Sequence, residues 1–311
     1  ETGDLCIMTE TEYAVVDIGS NSLRLMQGLL SDGQWRFYPK RMATTRLARG
    51  LAETGHLWSD GIANSLAVME EWNHNLQGIP VCAVATSAVR EAKDGQAFLA
   101  EVRWRFGWHC RIVSGQEEGA LSFVGATSHV SDNTTVAVLD IGGGSTETVL
   151  GKDCEVSWSH SYPLGAVRLT ETGGSTAEGL QAIRHKCDSA WLRQPVKPET
   201  LIGVGGTLTS LAAMDARLEI YDPAVTDGYV LSRDKVSEWL RRLADMSDEE
   251  RKCVPGLASQ RSTIILAGLT IAESYMTYYD IDEITVSERD LLEGVFYKQA
   301  FYDSCRIYKP Q

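Results

Sequence analysis

Ala137-Val138-Leu139-Asp140-Ile141-Gly142-Gly143-Gly144-Ser145-Thr146-Glu147 is an apolar run that meets an acid, a glycine-rich turn, two hydroxyls and a second acid. The same order stands earlier, in Ala14-Val15-Val16-Asp17-Ile18-Gly19-Ser20-Asn21-Ser22. Each stretch reads as a buried strand leading into a tight turn. Residues 23–30 and 146–150 follow as second strands, so both turns join hairpins, and third strands are expected near 34–41 and 154–161. Beyond them each half alternates helix and strand. The first half gives a helix over 61–77, a strand over 81–86, a helix over 94–107, a strand over 110–113 and a helix over 116–127. The second gives helices over 175–193, 206–216, 232–245, 261–279 and 289–303, with strands at 200–204 and 283–286. Parallel strands linked by helices make α/β layers. The chain is thus expected to be two duplicated domains, 8–130 and 131–288, facing across a cleft, with the polar stretch 128–133 between them. The closing segment 289–311 is expected to pack back on the first domain.

The 311 residues suit two cores of roughly 150 residues each. With 29 Lys and Arg against 42 Asp and Glu, the net charge of -13 argues against a nucleic-acid or anionic-membrane surface. An anionic small substrate stays open, because a metal ion or a local arginine reverses the sign inside one cleft. No apolar run reaches the roughly 18 residues that span a bilayer. The stretch before and around Met8 has no basic or apolar signal region. The seven cysteines form no C-x-x-C pair, which reads as reduced thiols and a cytoplasmic setting.

Turns of glycine and serine leave backbone N–H groups uncovered, and such nests bind phosphate oxygens. Gly19, Ser20, Asn21 and Ser22 form one candidate, and Gly142, Gly143, Gly144, Ser145 and Thr146 a second. A third is Gly203-Val204-Gly205-Gly206-Thr207 at a strand-to-helix junction. A lone turn of this kind is most often only a turn, but three of them, two preceded by Asp, favour phosphate. None fits the G-x-x-x-x-G-K-[ST] or G-x-G-x-x-G spacing. Asp17 and Asp140 end strands at these turns, where a carboxylate holds Mg²⁺ (or Mn²⁺) beside phosphate. Glu147 shares the face of Ser145 and Val149, placing it as a metal ligand or water-orienting base. Ser114-Gly115-Gln116-Glu117-Glu118 opens a helix and offers a general base, while Arg90, just after a buried strand, offers a phosphate grip. Arg46 and Arg168 are weaker candidates of the same kind. The six histidines show no ligand spacing.

Taken in order, these elements resemble the exopolyphosphatase and guanosine pentaphosphate phosphatase family, within the superfamily of actin, sugar kinases and chaperone ATPases. The pieces are Val16 to Ser22, Thr45-Arg46-Leu47 with Gly50-Leu51, Ala85 to Arg90, and Ile112 to Glu118. Asp140 to Glu147, Pro163 to Leu169 and Gly203 to Thr207 complete the set. The resemblance implies two actin-like (ribonuclease H-like) α/β domains and an interdomain cleft. It implies a hydrolase that releases terminal orthophosphate from inorganic polyphosphate, or the 5′ phosphate of guanosine pentaphosphate. By the resemblance Glu118 is the general base, Arg90 binds phosphate, Asp140 and Glu147 handle metal and water, and the two turns are phosphate loops. It also implies a homodimer.

One element departs from the family. Where it commonly has Ser-x-x-Gly-Leu-Arg-Glu-Gly, this chain reads Ser287-Glu288-Arg289-Asp290-Leu291-Leu292-Glu293-Gly294. Asp290 replaces the glycine and Leu292 the arginine; Arg289 is a candidate to restore the lost positive charge. Two other readings compete with the hydrolase: an ATP-dependent kinase or ATPase of the superfamily, and a sensor that binds polyphosphate or an alarmone without turnover.

Overall fold

The computed structural model describes residues 10–131 and 133–298. Two six-stranded sheets form it, one from each half of the chain. The first holds β1 (Thr11–Ile18), β2 (Ser22–Ser31), β3 (Gln34–Phe37), β4 (Arg41–Thr44), β5 (Val81–Ala85) and β6 (His109–Ile112) in the order β3-β2-β1-β5-β6, with β4 also paired to β2. The second holds β7 (Val136–Ile141), β8 (Thr146–Lys152), β9 (Glu155–Tyr162), β10 (Thr200–Val204), β11 (Val230–Ser232) and β12 (Glu283–Val286) in the order β11-β12-β10-β7-β8-β9. In each sheet an antiparallel hairpin opens the half, and its first strand then pairs in parallel with a strand that arrives after a helical crossover.

The differences from the expected elements have local causes. The third strand of the first half is broken at Tyr38-Pro39-Lys40, where proline has no N–H to give to a ladder, so β3 and β4 are separate. The helix expected from 261 begins at Ile265, after a 3₁₀ turn over Ser259–Arg261. The last described helix is Leu291–Tyr297, and residues 299–303 of the expected helix lie outside the described ones.

Strand alternation splits the first sheet between two apolar layers. Ala14, Val16, Ile18, Leu23 and Leu25 face Leu66, Met69, Phe98 and Leu99 of the helices Ser59–Leu76 and Gly95–Phe106. Tyr13, Val15, Met26 and Val84 face Leu121 together with Leu291, Leu292, Val295 and Phe296. In the second sheet, Val136, Val138, Val149, Ile202 and Val204 pack on Phe123 and Ala126. The helix Gly115–Thr127 therefore lies between the sheets and contributes to a layer against each. The helix Leu291–Tyr297 comes from the end of the chain but seats on Gly115–Thr127. A Cβ on Gly294 would stand 1.9 Å from the Leu121 carbonyl oxygen, and one on Gly125 1.9 Å from that of Asp290, so only glycine permits this approach. No helix among the described residues is long and apolar enough to cross a membrane.

Candidate active site

The two glycine-rich turns are closed alike. Gly19 N–H donates to the Ser22 carbonyl at 3.1 Å, and Gly142 N–H to that of Ser145 at 3.0 Å. The chain that follows braces each turn by its carbonyls. Thr45 and Arg46 donate to Asn21, and Ala166 and Val167 to Gly142 and Gly143. The amides of Ser20, Asn21, Gly143 and Gly144 find no acceptor among the described residues. The turns meet across the cleft: a Cβ on Gly144 would lie 2.4 Å from Ser87 Oγ and 2.8 Å from Ser20 Oγ. Free N–H groups from both halves thus converge on one space, the arrangement that receives phosphate oxygens.

That space opens into a cavity of about 740 Å³, within the range of small-molecule sites. Asp17, Glu118 and Asp140 border it, as do Gly19 to Ser22 and Gly142 to Ser145. The acids reach it from different elements. Ser114 caps the helix Gly115–Thr127 in a capping box with Glu117, which leaves Glu118 to turn toward the cleft. Glu118 Oε2 accepts from Arg90 Nη1 at 2.9 Å, and the same nitrogen donates to the Val113 carbonyl at 2.8 Å. One helical turn on, Ser122 Oγ donates to Asp140 Oδ2 at 2.6 Å. The i, i+4 stripe of one helix therefore serves two of the acids.

Asp140 lies directly opposite Glu147 in the β7–β8 ladder. Glu147 is 1% exposed; its Oε1 accepts from Ser161 Oγ at 2.7 Å and its Oε2 has no partner. Burial pushes Asp140 up to about 6, against the Ser122 hydrogen bond. Burial and the Asp140 charge push Glu147 up to about 8. Glu118 is raised by burial and by Glu147, with Arg90 pulling the other way. All three carboxyls are raised by desolvation, with Arg90 hydrogen-bonded to Glu118 and Arg24 acting on Asp140 through space.

The first half is arranged differently. Asp17 faces Arg24 in the β1–β2 ladder, and its Oδ2 accepts from Arg24 Nε at 2.9 Å and Nη2 at 2.7 Å. Asp17 Oδ1 has no partner. Arg24 also pairs with Asp290, and Lys40 with Glu293 at 2.9 Å. Arg24 and Lys40, rather than Arg289, carry the positive charge here; Arg289 Nη1 donates to Ser128 Oγ at 3.2 Å. The hairpin register was the signal for Arg24, since an Asp-to-Arg spacing of seven faces them across the turn. Ser122 is signalled only once Glu118 is placed on a helix.

Thr146, Arg46 and Arg168 lie outside the cavity wall, whereas the third turn lines it. The Thr146 hydroxyl is buried and donates to the Leu164 carbonyl. Arg168 Nε donates to the Gly144 carbonyl at 2.7 Å and its guanidinium pairs with Glu91, so it braces the second turn across the cleft. Arg46 is exposed, and its backbone supports Asn21. At the third turn Gly205 has φ 93°, and the Arg261 guanidinium lies against Gly206.

A family model described as "Ppx/GppA phosphatase family" matches residues 32–302. The chain belongs to the Ppx/GppA phosphatase family. Exopolyphosphatase 2 of Mycobacterium tuberculosis is 29% identical over 93% of this chain and 98% of its own length. A guanosine-5'-triphosphate,3'-diphosphate pyrophosphatase of Vibrio parahaemolyticus is 26% identical over 92% of this chain and 59% of its own length. The crystal structure of the Aquifex aeolicus family member superposes with a TM-score of 0.78 at 29% identity, covering 95% of this chain and 99% of that one. The fold is the paired actin-like α/β architecture of this family, and the activity class is hydrolysis of phosphoanhydride bonds.

Proposed function

We propose that this protein releases terminal orthophosphate from inorganic polyphosphate or the 5′ phosphate from guanosine pentaphosphate, assisted by a divalent cation. The observation that carries this reading is the opposition of two turns with free amides, one from each half, with Glu118 buried beside them on an arginine tether. The terminal phosphate sits between the turns, its oxygens taking the amides of Ser20, Asn21, Gly143 and Gly144. Glu118, raised above the ordinary carboxylate range by burial, is a stronger base than a surface carboxylate and takes the proton of the attacking water. Arg90 keeps it oriented. In-line attack then expels the rest of the substrate, and positioning and charge do most of the work.

The donor set fits a hard cation. Glu147 Oε2 is buried without a partner, and Asp140 stands directly opposite Glu147 across the ladder. No three acidic, histidine or cysteine side chains cluster as a ligand cage among the described residues. Two carboxylates, with water and substrate phosphate completing the sphere, match how Mg²⁺ is usually held. Bound there, the cation would offset charge on the transferred phosphoryl group. Asp17, held by Arg24, has one oxygen left for such a role.

The test is orthophosphate release from long-chain polyphosphate, short-chain polyphosphate and guanosine pentaphosphate with Mg²⁺. Glu118→Gln is expected to lose about 1,000-fold in turnover while still binding substrate. Near-normal turnover in that variant overturns the base assignment. Binding without release by the unaltered protein turns the reading into a sensor.

A further inference from the structure

Three carboxylates and two cations meet on the cavity floor, where β2 and the β3–β4 break approach the start of the helix Leu291–Tyr297. Asp17, Arg24, Lys40, Asp290 and Glu293 all border the cavity. Arg24 reaches Asp17 and Asp290, and Lys40 reaches Glu293 at 2.9 Å and Asp290 at 3.4 Å. Asp290 Oδ2 is the atom on which both cations converge. It stands where a substrate phosphate oxygen would bridge them.

Capping does not explain this carboxylate. Asp290 Oδ1 alone accepts the Leu292 N–H, at 3.0 Å, and an asparagine side chain caps a helix about as well. Glu293 completes a capping box with Asp290, and the negative charge is surplus to that cap. Asp290 is only 5% exposed, and Arg24 and Lys40 overcome its burial to hold its carboxyl below the usual range. The five groups ionised together carry one net negative charge, which repels a further anion. Elsewhere the cavity offers a less restrained cation: Arg261 borders it, with Glu288 acting on the guanidinium through space and no ion pair among the described residues.

We propose that Asp290 is a specificity-determining residue, an internal anion that occupies the Arg24–Lys40 position and keeps the inner phosphates of a substrate out of that branch of the cleft. This rests on the phosphohydrolase reading. The terminal phosphate enters between the turns, and the remainder of the substrate is directed toward Arg261.

Asp290→Asn keeps the cap and removes the charge. Equilibrium binding of tripolyphosphate and of long-chain polyphosphate is measured at fixed Mg²⁺ for the unaltered protein, Asp290→Asn, and Asp290→Asn with Lys40→Gln. Asp290→Asn is expected to tighten long-chain binding about tenfold more than tripolyphosphate binding, and Lys40→Gln to cancel that gain. Equal changes for both ligands, or none, overturn the proposal, as does a gain that survives Lys40→Gln. Should Asp290→Asn fail to fold, Asp290→Ser supplies the same cap and the same comparison. Because binding is read without turnover, absence of orthophosphate release by the unaltered protein counts against the hydrolase reading separately.

Discussion

The two opening hairpins share a register and differ in one partner. In each, the acid before the turn faces the residue seven positions on: Asp17 faces Arg24, and Asp140 faces Glu147. The first pair joins opposite charges, and two hydrogen bonds under 3 Å lock it. The second sets a buried acid, Glu147, beside a half-buried one, Asp140, relieved by the hydroxyls of Ser161 and Ser122. The repeat supplies the same turn and the same free amides twice. What stands across the ladder differs, making one half charge-paired and leaving the other with two acids face to face.

Removing the arginine should break this comparison most severely. Arg24→Met leaves Asp17 and Asp290 buried without their main partner, and the expected loss is about 3 kcal/mol of stability, read by urea unfolding. A loss below about 1 kcal/mol would mean the first hairpin is not held by its charge pair. Glu147→Gln should lower Mg²⁺-dependent turnover about 100-fold, the scale of a lost ligand interaction. It should also change the pH dependence of stability. The folded protein holds the Glu147 proton up to about 8 while the unfolded chain releases it near 4.5, so the metal-free protein loses stability as pH rises through that window. Thermal melts without divalent ions should fall between pH 5 and pH 8.5, by roughly 5 °C more for the unaltered protein than for Glu147→Gln. Added Mg²⁺ should recover the difference only in the former. The smallest effect is expected from Ser122→Ala, which removes one hydroxyl from Asp140, costs about 1 kcal/mol and moves the Asp140 titration upward, visible by NMR.

Much of this was legible because the sequence repeats itself. Val16 to Ser22 and Val138 to Ser145 alternate toward buried layers and end in turns that only small residues make, so both hairpins and the α/β layering follow from local chemistry. The acids Asp17, Glu118 and Asp140 were legible for the same reason, each lying at the end of a strand or the start of a helix. Lys40 and Arg261 were not. Both sit where a regular element breaks, at Pro39 and at the 3₁₀ turn before Ile265, and periodicity carries no signal there. Arg168 was legible as a charge near the turn but not as a brace, because Glu91 belongs to the other half of the chain. The floor cluster's Arg24–Asp290 pair joins residues 266 positions apart, a separation that no local pattern reports.

The seating of Leu291–Tyr297 on the first half sets an order of events during synthesis. Tyr13, Val15, Met26 and Val84 leave the ribosome well before Leu292, Val295 and Phe296, which supply their apolar cover. Until then one face of the first sheet is only partly covered, and the second half must be translated before the first can finish its core. The cleft, with Asp290 on its floor, is therefore completed only after the second half is made, and a nascent chain stalled in that half would hold both glycine-rich turns without the wall that joins them.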